Sequence, residues 1–452
     1  MGVLFCGAQC YFQGQARPKE VDPHCSESGR RSPVPRPVPR GDVTSMTSAT
    51  TTQEIPDLGD PATFVHGLPL RAFDAIHAKG GFHWQPAALG VVNGGFWFVA
   101  NRAAIREMEL DAERFTATRG VAQPYTSVDP DGEMKDLIFA MDPPRHSRIR
   151  RAVVSSFGPR VVAQFERWVT DIVVEALDDA VRLGEFDYVP EIAVTIPARV
   201  VARIMGVPDA ERDNIVRWTV ASFQGQARGQ WELIVQAANE LFEYATGLQA
   251  EKLANPADDM ISELAAAVVR GDLNQVEFLQ YCRGLMLAGF ETTHTIIGQA
   301  MRMQLENSVV KEAHERCMQK GEVDALIEEY LRMVTPAMHF ARTATADMSF
   351  HGQEIKQHDV MVMSYAAANR DPATFENPHD FRPARPNAAE HMAFGNGFHR
   401  CVGAALAKLE MRILFEQIHN RGLRFELTGV PDPGWSSFIN QIRALPVRVV
   451  NV

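Results

Sequence analysis

Apolar residues recur at three- and four-residue spacing through most of the chain after about residue 56, the period of an amphipathic helix. One stripe, Val162, Phe165, Val169, Ile172, Val173 and Leu177, predicts a helix from about Pro159 to Arg182. Val189–Met205, Glu211–Phe223 and Trp231–Leu253 read as helices too. Asn274 and Glu277 stand at capping-box spacing and open a long helix predicted to reach about Met303. Strand signals are few: Gly90–Val99, Met348–Phe350, Val360–Ser364 and runs near Leu423–Leu427 and Val447–Val450. The expected architecture is mainly α with small β-sheets, one large domain over residues 56–452.

The first 55 residues break this pattern. Pro33, Pro35, Pro37 and Pro39 alternate with other residues, among Arg30, Arg31, Arg36 and Arg40. Such a stretch favours extended, solvated backbone, so 1–55 is expected to be a disordered leader, with Met46 a candidate true start. Its opening has no basic region ahead of an apolar run, as a signal peptide requires, and Cys6 stands where myristoylation needs Ser or Thr.

Composition narrows the function. Among 452 residues, 46% are apolar and 22% charged, which excludes disordered and fibrous classes. A net charge of −11 argues against a nucleic-acid partner. No apolar run approaches the roughly 18 residues of a membrane span, so no membrane anchor and a cytoplasmic location are expected. Six cysteines invite disulfide arithmetic, but a chain this long needs no such staples. Cys6, Cys10 and Cys25 fall in the leader, and Cys282 and Cys317 read as ordinary helix residues.

Cys401 differs, because it closes the string Phe394-Gly395-Asn396-Gly397-Phe398-His399-Arg400-Cys401-Val402-Gly403. Glycines permit a tight loop whose backbone approaches a flat ligand. Leu406, Leu409, Ile413 and Leu414 keep helical spacing, so a helix is expected to start almost at Cys401 and its amides to favour a thiolate. One thiolate does not make a closed zinc site, but it suits axial ligation of haem iron. The string resembles the haem-thiolate signature FxxGxxxCxG of the cytochrome P450 family.

Three further motifs extend the resemblance in the family's order. Leu287-Ala288-Gly289-Phe290-Glu291-Thr292-Thr293 looks like the AGxxT motif, with Ala288 and Gly289 leaving room for dioxygen. The resemblance implies that Glu291 and Thr292 deliver protons during oxygen activation. Glu329-Tyr330-Leu331-Arg332 matches ExxR, which implies a buried ion pair completed by a later arginine. Arg385 is the first choice for that third member and Arg382 the second. His146, Arg150, Arg342 and His399 match positions that contact the haem propionates. Phe394, Gly395, Cys401 and Gly403 complete the cofactor set, with haem b as cofactor and Cys401 as the metal ligand. Asn369-Arg370-Asp371-Pro372 is read as structural.

The resemblance implies insertion of one oxygen atom from dioxygen into a hydrophobic small molecule. A terpenoid or steroid is favoured, with a fatty acyl chain as an alternative. Pocket candidates by position are Phe139, Met141, Phe223, Phe290, Met338, Phe340, Phe438 and Ile439, within a roof over Trp218–Phe223. The chain has no GxGxxG fingerprint and no room for a fused flavin domain. Electrons are therefore expected from NAD(P)H through a reductase and a ferredoxin, docking on Arg148, Arg151, Arg400 and Lys408. The rival readings are a peroxide-driven peroxygenase, a non-catalytic haem-binding protein and a non-haem cysteine hydrolase using Cys401 and His399. The Glu291–Thr292 pair argues against the first.

Overall fold

The computed structural model describes residues 55–87, 93–121, 133–228, 230–434 and 436–450. The expected leader, up to residue 54, lies outside them, as do Cys6, Cys10 and Cys25. Helices dominate. Those that bear on the site are α1 (Arg102–Met108), α2 (Arg145–Val153), α3 (Glu166–Leu183), α4 (Thr195–Met205), α5 (Gln275–Glu306), α6 (Val323–Val334), α7 (Tyr365–Ala368) and α8 (Ala404–Asn420).

The strands are β1 (Phe82–Pro86), β2 (Gly95–Val99), β3 (Phe115–Thr116), β4 (Glu185–Asp187), β5 (His339–Ala344), β6 (Met348–Phe350), β7 (Gln353–Ile355), β8 (Val360–Ser364), β9 (Arg424–Leu427) and β10 (Pro446–Val450). They form a five-stranded sheet in the order β1-β2-β8-β5-β3, a three-stranded sheet β4-β10-β9 and the hairpin β6-β7. β2 runs parallel to β8, with Phe96 opposite Val360, and the other pairs are antiparallel. Gly95 sits where β1 and β2 cross closely: a Cβ there would lie 2.6 Å from both Trp84 and the Gln85 carbonyl.

The long helix α5 opens with the expected capping box, both halves formed. It runs three residues past the expected end and is buried along most of its middle. Glu277 does double duty, because its carboxylate also receives Arg148 at 2.5 Å and Arg145 at 3.2 Å, fastening α2 to α5. The expected Pro159–Arg182 helix is two pieces, Pro159–Gln164 and α3, joined at Phe165. Likewise Val189–Met205 begins as a π-helical turn, Val189–Val194, before α4. The expected strand Gly90–Val99 is shorter, since only Gly95–Val99 pairs and residues 90–92 lie outside the described set. β5 and β1 carry His, Arg, Gln and Thr among their apolar residues, which hid them from an alternation rule.

One apolar core surrounds α3, α4, α5, α6 and α8, with Cys282 and Cys317 buried in it as free thiols. Burial pushes the Cys282 thiol up to about 12, so it stays protonated and inert. Two smaller cores lie against the faces of the five-stranded sheet.

Candidate active site

Arg332 lies with Glu329 at zero exposure, Nε and Nη2 each donating to a separate carboxylate oxygen at 2.8 Å. Its remaining hydrogens are used on the carbonyls of Asn369, Pro378 and Asp380. Arg385 lies 3.6 Å from the same carboxylate and Arg382 reaches it with its main-chain N–H at 2.7 Å. The arginine chosen as third member thus brings its charge, and the second choice brings a backbone donor. Asn369 continues the chain of contacts by accepting from the Met392 N–H at 2.6 Å, just ahead of the cysteine loop.

In that loop Cys401 N–H donates to the Phe394 carbonyl at 2.8 Å, closing the turn. α8 begins at Ala404, three residues later than the thiol. The expected helix-terminus effect is outweighed: burial pushes the Cys401 thiol up, while the Gly403 N–H, Arg150 and Arg400 only partly offset it. Cys401 nevertheless has an exposed surface, and that surface faces an internal cavity of about 250 Å³.

The same cavity gathers residues from many separate elements. His146 and Arg150 of α2, Arg342 of β5, and Phe394, Gly395, His399 and Gly403 of the loop all line it. The His146 and His399 ring centres are 4.3 Å apart. Burial first, then Arg150 and Arg342, pushes His146 down to about 4. Burial first, then Arg342 and His146, pushes His399 down to about 2. His146 Nδ1, His399 Nε2 and Arg342 Nε are buried without a hydrogen-bond partner. Buried polar groups are normally paired, so three orphaned nitrogens facing one cavity indicate a missing acceptor. An anionic ligand with several oxygens fits that gap.

Ala288, Gly289 and Thr292 of α5 line the cavity too. The Thr292 hydroxyl donates to the Ala288 carbonyl at 2.8 Å. Glu291 does not reach the cavity, although it is the adjacent residue in sequence. Successive helix residues point about 100° apart, and its carboxyl is buried instead beside Gln441 and 3.6 Å from His294 Nδ1. Burial pushes it up to about 8 despite the Gln441 hydrogen bond.

Of the expected pocket residues, Phe139 and Phe340 line the cavity. Met141 is 2% exposed and serves through its carbonyl, which receives His399. Phe290 and Ile439 are buried in packing away from the wall, and Met338 belongs to a core against the sheet. Phe438 packs edge-on against Phe340, one layer behind the wall. The Phe223 side chain lies outside the described residues, while Trp218 is core, bonded to Glu240 rather than roofing the site. Val201 and Ile204 of α4 line the cavity unannounced, since an i,i+3 apolar pair looks like any core stripe. Glu410 of α8 is a second surprise: it lines the cavity fully buried, with Oε2 unpartnered.

The family model described as cytochrome P450 matches residues 201–429. The polyketide biosynthesis cytochrome P450 PksS of Bacillus subtilis is 32% identical over 322 residues, covering 70% of this chain and 78% of that protein. The chain belongs to the cytochrome P450 family. A steroid C26-monooxygenase of Mycolicibacterium smegmatis is 29% identical over 398 residues, 86% of this chain and 92% of that protein. A Mycobacterium marinum cytochrome P450 solved with pseudoionone superposes with a TM-score of 0.77 at 28% identity, covering 89% and 100% of the two chains. A Bacillus megaterium cytochrome P450 solved with testosterone gives 0.74 at 25%, covering 84% and 97%. As a P450, the protein is a haem monooxygenase whose cofactor takes a cysteine thiolate as axial ligand. The cation cluster, the orphaned nitrogens and the cavity-facing thiol fit that cofactor.

Glu291 gives a pH test. Its folded value, about 8, lies above the ordinary 4.5, so the folded state holds the proton more tightly. Stability from this group is full below the ordinary value and is lost between it and about 8, by about 1.4 kcal/mol per pH unit. Glu291→Gln removes the term. Its melting temperature relative to the unmodified protein should rise steadily across that window. A constant difference across the window would refute the assignment.

Proposed function

We propose that this P450 hydroxylates a steroid, with electrons delivered by a ferredoxin and its NAD(P)H-dependent reductase. The observation that carries the reading is a cavity walled by Phe139, Val201, Ile204 and Phe340, with Cys401 and the cation cluster in its lining. Apolar walls with few polar groups suit a rigid hydrocarbon skeleton. The steroid monooxygenase relative supports a steroid over a terpenoid or fatty acyl chain.

Cys401 is assigned as the axial ligand. Its thiol, which burial holds protonated, would have to release that proton to serve as a metal ligand. His146, Arg150, Arg342 and His399 would hold the propionates, the neutral imidazoles as donors and the guanidiniums as partners for carboxylate. Bound haem supplies oxygen activation, and its thiolate ligand favours O–O cleavage. Thr292 presents a hydroxyl to the cavity and can pass a proton while Ala288 accepts its own. Glu291, one residue behind, stores a proton near neutral pH. Glu329, Arg332 and Arg385 hold the loop that carries Cys401. Residues 1–55 are assigned as a leader outside the catalytic domain.

For electron entry, two of the four expected cations are already engaged. Arg148 is bound to Glu277, and Lys408 to Glu328. Arg151 and Arg400 are exposed and remain the candidates for attracting an acidic ferredoxin. Among the described residues, no helix is long and apolar enough to cross a membrane.

Cys401→Ser should abolish the red-shifted Soret band of the ferrous–CO complex. Retention of that band would remove Cys401 as ligand. Thr292→Ala should bind substrate normally but couple NAD(P)H oxidation to product about tenfold less well, the remainder appearing as peroxide. Unchanged coupling would count against the hydroxyl's role. Spin-state titration with testosterone, pseudoionone and hexadecenoic acid tests the substrate class. Testosterone should bind about tenfold tighter than either of the others, a difference of about 1.4 kcal/mol. A tighter terpenoid or fatty acid would overturn the steroid reading.

A further inference from the structure

Glu109 caps the C-terminus of α1 and is 1% exposed, yet no role described so far uses it. It stands directly behind the cavity wall and meets three of the residues that form that wall. The Tyr365 hydroxyl donates to its Oε1. Gly395 packs on the same oxygen, where an added Cβ would lie 3.2 Å away. Arg342 acts on its carboxyl electrostatically. Tyr365, Gly395 and Arg342 all line the cavity.

The contact with the cysteine loop is close on both sides of Asn396. Gly395 and Gly397 each adopt φ of +64°, a conformation that favours glycine. A Cβ on Gly397 would lie 2.5 Å from the Glu109 carbonyl oxygen, so main chain packs there on main chain. Between them, the Asn396 N–H faces the Glu109 carboxyl. Oε2 has no partner, and burial pushes the carboxyl up to about 7 against the pull of Tyr365, Arg342, Asn396 and Arg106.

We propose that Glu109 is a positioning residue for the haem: it seats the Gly395–Gly397 stretch and competes with a haem carboxylate for Arg342, thereby setting the reduction potential of the iron. This rests on the assignment of Cys401 and Arg342 above. The sign follows from charge. A carboxylate at Glu109 draws on Arg342 and lowers the positive potential around the cofactor, which disfavours the added electron. Replacing it with a neutral amide of the same shape keeps an acceptor for Tyr365 and leaves Arg342 fully to the haem.

The test is a spectroelectrochemical titration of purified holoenzyme at about pH 8, where the Glu109 carboxyl is mainly ionised. Glu109→Gln should shift the ferric–ferrous equilibrium toward ferrous by about tenfold, which is about 59 mV for a one-electron couple, with the thiolate–CO band retained. Tyr365→Phe removes the donor that favours the Glu109 carboxylate and should move the potential in the same direction. It serves as the second variant should Glu109→Gln lose its haem. A potential equal to that of the unmodified protein, in whichever of these variants keeps the thiolate–CO band, overturns the proposal. Absence of that band in the unmodified protein would instead overturn the assignment of Cys401.

Discussion

The buried pair Glu329–Arg332 organises the side of the molecule on which the thiol is presented. Taking two charges fully out of water costs several kcal/mol per ion, and only complete hydrogen bonding makes the arrangement tolerable. Here the guanidinium gives two hydrogens to the carboxylate and its remaining ones to three carbonyls from residues 369–380. A helix residue thereby pins a long irregular segment that has little regular backbone pairing of its own. Asn369, held in that segment, captures the Met392 N–H at the root of the cysteine loop. The thiol's place is thus transmitted from an ion pair through backbone carbonyls and one amide side chain.

Charge is segregated around the cavity in a way that matches an anionic, planar cofactor. Three arginines and two histidines line the cavity, and burial beside Arg150 and Arg342 keeps both imidazoles neutral. The carboxyls nearby are held toward the protonated form: Glu291 behind the oxygen side, Glu109 behind the wall and Glu410 on α8. Desolvation is the first cause in all three. Dehydration raises these carboxyls even against the pull of nearby arginines on Glu109, and a carboxyl that keeps its proton near neutral pH is a group able to donate one.

Much of the site was legible in the chain because its motifs are local. The glycine–cysteine loop, the i,i+3 Glu–Arg pair, the i,i+4 His–Arg pair and the capping box each depend on residues within a few positions of one another. Helix geometry or a tight turn then follows without distant contacts. Even Arg385, fifty-odd positions from its partner, could be singled out once family order was known. The pocket wall was not legible. Phe139 and Phe340 face the cavity while Met141, Met338 and Phe290, equally apolar, turn into packing.

The sequence by itself determined a helical protein with small sheets, one chemically distinctive cysteine and a family membership. Short-range periodicity and fixed spacing carry that information. Tertiary structure alone decided which way a side chain turns and what surrounds it. It placed Glu291 away from the cavity that its neighbour Thr292 lines, because adjacent helix residues diverge in direction. It reversed the expected ease of forming the Cys401 thiolate, because dehydration outweighed the helix-terminus amides. It brought Glu109, from a helix nearly 300 residues upstream, against the backbone of the cysteine loop. Each of these depends on burial and on contacts distant in sequence, and no local pattern encodes them.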